Sequence, residues 1–190
     1  MSRLRGRRQT IRLAVHLLFA AAAALPCAAA AVAAAEEPAS CAGFMTAMTQ
    51  TLADQHGQFE HPLVVSQNAP AVGAEVYDLV TDAHVEGTLN CRNDHLVRFE
   101  AKISVPADTP VLHSFDQVQA AALTAALKWQ PARAATALST MNGEAAEYLR
   151  ASIERGDVFL AGKTEYHEDG SDLGMIWTKT DRTFIIVGSE

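Results

Sequence analysis

His95-Leu-Val-Arg-Phe-Glu-Ala-Lys-Ile-Ser-Val105 is the stretch that decides the fold class. Val97, Phe99, Ala101, Ile103 and Val105 alternate with Arg98, Glu100, Lys102 and Ser104, so a strand here turns one apolar face inward and one charged face to water. A sheet that is wet on one side carries its helices on the other, the plan of an α+β layer. Pro106 and Pro110 end the strand.

Towards the N-terminus, Val85 to Cys91 and Glu75 to Val80 read as further strands, and Leu63-Val64-Val65 as a short one. Asn68-Ala69-Pro70 and Gly73 break the chain between them, and a loop surrounds His61-Pro62. Ser40 is a helix N-cap. Phe44, Met45, Met48 and Leu52 follow at helical spacing, with Gly57 as terminator.

Towards the C-terminus, Ser114 with Gln117 forms a capping box for a helix from Phe115 to Gln130, whose stripe is Phe115, Val118, Ala122, Ala126 and Trp129. Pro131 opens a second helix that fades at Asn142-Gly143. A third runs from Glu144 to Arg155 with Ala145, Leu149 and Ile153 inward, and Gly156 closes it. A meander ends the chain: Val158 to Tyr166, a turn at Glu168-Asp169-Gly170-Ser171, Leu173 to Lys179, and Thr183 to Val187. The expectation is α+β, a mainly antiparallel sheet with helices packed on one face, in the rough order α-β-β-β-α-α-α-β-β-β.

Gly87 to Phe99 and Gly174 to Ile186 share glycine, aliphatic, basic and aspartate positions at one offset of 87. That pattern predicts two equivalent hairpins, with turns at Asn93-Asp94 and Thr180-Asp181, Leu89 matching Ile176 and Val97 matching Phe184. Matched residues on opposite faces would make the pattern accidental.

Residues 1–35 read as an export leader. Arg3, Arg5, Arg7, Arg8 and Arg12 precede the uncharged run Leu13 to Ala35, and Ala33-Ala34-Ala35 before Glu36 supplies the small residues a signal peptidase needs. The rival is an uncleaved anchor, since about 20 apolar residues span a bilayer, but alanine drives insertion weakly. Pro26 before Cys27 argues against lipidation. Both surviving readings place residues 36–190, one α+β domain, across the membrane. The expected location is periplasmic or secreted after cleavage, with no membrane span left.

Five of the 15 basic residues and none of the 22 acidic ones lie in the leader, so residues 36–190 carry ten basic and 22 acidic side chains, a formal charge of −12. Phosphate binding needs clustered Lys and Arg, so nucleic acid is excluded as a partner, and anionic lipid with it. Another exported protein is the expected partner. The oligomeric state is not legible. At 49% hydrophobic residues the chain suffices for a core, which excludes disordered and collagen-like classes.

Cys41 and Cys91 are the thiols left after processing, and in an oxidising compartment an even pair reads as one disulfide. No phosphate loop, nucleophile elbow, H-E-x-x-H or C-x-x-C motif occurs, so no catalytic residue, metal ligand or cofactor is assigned. His56, His61, His84, His95, His113 and His167 lie in or beside loops and element ends, and could hold a metal only if several met in space. Glu165 to Asp172 offers carboxylates, but not at calcium-loop spacing. Three functions follow: a non-enzymatic protein-binding or envelope-associated domain, a metal or small-ligand binder using loop histidines, and a hydrolase with a non-standard site.

Overall fold

The computed structural model describes residues 40–54, 63–66, 74–79 and 84–188. The expected leader 1–35, the terminator Gly57, the loop at His61-Pro62, the break at 68–73 and two of the histidines, His56 and His61, lie outside the described residues. The described elements belong to the unit Ala35–Glu190. They run α1 (Cys41–Ala53), β1 (Leu63–Val65), β2 (Ala74–Leu79), β3 (Glu86–Arg92), β4 (His95–Ser104), α2 (Thr109–Leu127), α3 (Pro131–Arg155), β5 (Ala161–Glu168), β6 (Ser171–Thr178) and β7 (Asp181–Val187). One antiparallel sheet contains all seven strands in the order β1-β2-β3-β4-β7-β6-β5, and the three helices pack on one of its faces. No described helix is long and apolar enough to cross a membrane.

Register explains where the core sits. Two rows cross the covered face: Tyr77, Leu89, Phe99, Ile186, Leu173, Tyr166, and Leu79, Gly87, Ala101, Phe184, Met175, Thr164. Phe44, Met48 and Leu52 of α1, Phe115, Val118 and Leu123 of α2, and Leu138, Met141 and Ala145 of α3 close over them. Phe44 meets Phe99 with ring centroids 5.4 Å apart. Each large apolar side chain buried there contributes about 1.5–3 kcal/mol.

Several expectations need correction. Helix α2 starts at Thr109, not Phe115. Its cap is Asp108, which accepts from the Val111 amide at 3.0 Å, and Pro110 fits the first turn, while Ser114 is buried inside the helix. Helix α3 does not break at Asn142-Gly143. It is continuous from Pro131 to Arg155, because burial of Met141 and Ala145 on both sides of Gly143 outweighs the ~1 kcal/mol that a mid-helix glycine costs. At its end the inward position belongs to Ser152, whose hydroxyl donates to the Phe159 carbonyl at 3.1 Å, and Ile153 is 44% exposed.

Strand β5 begins at Ala161, leaving Val158 and Phe159 91% and 87% exposed before it. The internal repeat also fails. Leu89 faces the helices, whereas Ile176 lies opposite Lys163 and Thr183 on the other face. The β3–β4 turn is Asn93-Asp94, both with positive φ, but the β6–β7 turn is Lys179-Thr180, where the Thr178 hydroxyl accepts from the amides of Thr180 and Asp181. One residue of slip reverses every side chain. A bulge after Asn90 further sets Leu96, not Val97, against Cys91 in the core.

Several contacts fasten helices to strands. Gly162 lets α3 lie directly on β5, since a Cβ there would stand 1.9 Å from the Ala145 carbonyl oxygen. The Trp129 indole donates to Asp169 at 2.9 Å, with the Arg133 guanidinium 4.0 Å above the ring and paired to Glu168 at 3.2 Å. At the start of α1, Asp94 accepts from the Cys41 and Ala42 amides, and the Ser40 hydroxyl caps Gly43 as expected.

Candidate functional site

The face of the sheet opposite the helices gathers charged and aliphatic side chains from β4, β7, β6 and β5. Alternation in β4 puts Arg98, Glu100 and Lys102 there, as expected from the sequence. The register then adds Val187 and Asp172 beside Arg98, Ile185 and Gly174 beside Glu100, and Thr183, Ile176 and Lys163 beside Lys102. Ile176, Ile185 and Val187 are half-buried and form an apolar centre. Around Gly174 the surface dips into a depression of about 580 Å³, bordered by Arg98, Lys163, Glu165, His167 and Asp172.

Its charges are paired along and across strands. Arg98 meets Glu100 at 2.7 Å, Lys102 meets Asp181 at 3.0 Å, and His167 meets Asp172 at 2.8 Å. The Asp181 carboxyl is held below the usual range by the Thr180 hydroxyl and then by Lys102, and the Lys102 ammonium is raised by the same carboxylate. Such pairs on an exposed face add little to stability. Their effect is to fix a pattern of both signs around the apolar centre.

The sequence left these aliphatic residues unassigned. The signal that finds them is broken alternation: Met175-Ile176-Trp177 and Phe184-Ile185-Ile186-Val187 are apolar at every position, as in strands covered on both faces.

Other candidates are less developed. Cys41 and Cys91 stand at disulfide distance, Cα atoms 6.1 Å apart, joining the start of α1 to β3, a pairing compatible with an oxidising extracellular compartment. Among the described residues no three His, Cys, Asp or Glu side chains gather as metal ligands; His84 precedes β3, and His95, His113 and His167 lie on β4, α2 and β5. Glu165 to Asp172 forms the β5–β6 hairpin, with Asp169 and Gly170 at positive φ in its turn. A groove of about 620 Å³ runs between α2 and α3 past His113, Asp116, Gln117, Ser139 and Asn142. The Asp116 carboxyl is raised by the protein mass around it, with His113 and Arg182 opposing. Among the described residues none of these groove side chains is hydrogen-bonded to another. No family model, curated protein or solved structure matches this chain.

Proposed function

We propose that residues 36–190 form a non-enzymatic domain, exported to the periplasm or secreted, that binds another protein across the open face of its sheet. One observation carries this reading: Ile176, Ile185 and Val187 are aliphatic on the face where β4 carries Arg98, Glu100 and Lys102. An apolar centre within a charged rim is the anatomy of a protein interface, and paired charges of both signs set the register of a partner. The formal charge of −12 on residues 36–190 favours a partner with a basic surface, which electrostatic steering would bring in faster at low salt. The leader pattern and the Cys41–Cys91 pair support the location.

The test is capture from the exported compartment. A photo-crosslinking residue at Ile176 should trap one discrete partner, and Ile185→Asp in the same chain should abolish the adduct while leaving the circular dichroism spectrum intact. Equal trapping by the Ile185→Asp variant, or no adduct from either, rejects the reading.

A further inference from the structure

The sheet ends at β5, and among the described residues no strand pairs with its outer side. An unpaired edge of eight residues invites a second chain. The two-residue turn at Asp169-Gly170 makes Glu168 and Ser171 a hydrogen-bonded pair, and alternation then directs the N–H and C=O groups of Ala161, Lys163, Glu165 and His167 away from β6. Apart from the Ala161 N–H, which donates to the Phe159 carbonyl at 3.1 Å, these groups form a ladder without a partner among the described residues.

We infer that this edge pairs with the same edge of a second copy, antiparallel about a two-fold axis at Thr164, giving a continuous sheet across a homodimer. Charge and the unpartnered Thr164 hydroxyl together select the register. An axis through Lys163 or Glu165 would place that charge against itself, whereas an axis at Thr164 sets Lys163 opposite Glu165 of the second copy, twice, and Ala161 opposite His167. Lys163 and Glu165 already stand 2.5 Å apart on one strand, so the dimer would hold a ring of four alternating charges.

Two further features point to the same axis. The Thr164 hydroxyl is buried and has no hydrogen-bond partner among the described residues. In this register it faces its own copy in a non-hydrogen-bonded pair, where side chains approach most closely and threonines bond across strands. Val158 and Phe159, almost wholly exposed just before β5, would run along the Asp169-Gly170 turn of the second copy and be covered. On the helical layer, Tyr148 is 55% exposed, and Ala137, Glu144 and Ala151 share its flank of α3. The small alanines would allow α3 to approach its copy at the ~8–10 Å typical of packed helices.

Sedimentation equilibrium of residues 36–190 tests the inference with charge reversals at two exposed positions. Wild type should be dimeric at tens of micromolar, and Lys163→Glu and Glu165→Lys should each weaken the dimer at least ten-fold. An equimolar mixture of the two variants should restore it, because one chain then carries only acidic side chains at these two positions and the other only basic ones. A wild-type monomer at about 1 mM, a dimer indifferent to single reversal, or a mixture that stays monomeric each overturns it. The inference does not rest on the open-face reading: Phe159→Asp, at an exposed position before β5 that is no part of the open face, should weaken the dimer and preserve the Ile176 adduct, which separates the two.

Discussion

Tyr166 shows how a single side chain can tie α3 to the edge of the sheet. Its phenol donates to a Glu144 carboxylate oxygen, and its pKa is pushed up to about 12, first by that bond and then by burial. The folded state therefore holds the phenolic proton more tightly than the unfolded chain, whose tyrosines titrate near 10. Stability from this bond is complete below pH ~10 and is lost as pH rises through about 12. Tyr166→Phe should lower the melting temperature at pH 8, and the gap to wild type should close between pH 10 and 12. A gap that stays constant across that window would show that the bond contributes nothing. Alternation places Tyr166 on a strand, but its partner lies 22 residues away on a helix, and Trp129 reaches Asp169 over 40 residues. Neither pair has a local signature, because each depends on how α3 lies against β5.

Strands were the legible elements, because period-two alternation records the difference between water and core directly, and β4 carries it from Arg98 to Ser104. Helix boundaries were less so. Ser114-x-x-Gln117 satisfies the capping pattern within a helix that Asp108 had already opened, and Asn142-Gly143 resembles a stop where burial continues on both sides. Local chemistry at these points competes with packing that the sequence does not display. Gly143 lies on the exposed side of α3 with open space where a Cβ would stand, so it occupies a helical position without a packing reason for glycine. Gly143→Ala should therefore stabilise the domain by about 0.5–1 kcal/mol through reduced backbone entropy of the unfolded chain. Urea melts check it: an unchanged or lower midpoint would mean that α3 is not regular at this position. The candidate surface was half legible for a related reason. Alternation yields Arg98, Glu100 and Lys102, whereas Ile176, Ile185 and Val187 become distinct only once register assigns each a face.

Across the whole molecule, the covered face of the sheet depends on a helix that arrives first in the chain and packs against strands that follow it. Helix α1 reaches the core through Phe44, Met48 and Leu52, and its N-terminus is held by Ser40, Asp94 and the Cys41–Cys91 pair. That pair was legible because residues 36–190 contain two cysteines and alternation turns Cys91 inward beside Leu89. A cross-link over a separation of 50 residues removes unfolded-chain entropy worth roughly 4 kcal/mol, against the ~5–15 kcal/mol that stabilises a typical domain. The contacts of α1 remain when the bond is absent, so the reduced protein should keep its fold and lose stability. Cys91→Ser and Cys41→Ser should each lower the denaturation midpoint, and dithiothreitol should bring wild type down by a similar amount while leaving both variants where they are. If reductant leaves the wild-type midpoint unchanged, or if native protein returns two reactive thiols after unfolding without reductant, the bond is not formed. A comparable loss in Asp94→Ala with the disulfide intact would instead assign the anchoring of α1 to the β3–β4 turn, whose carboxylate and carbonyl both accept from the first turn of the helix.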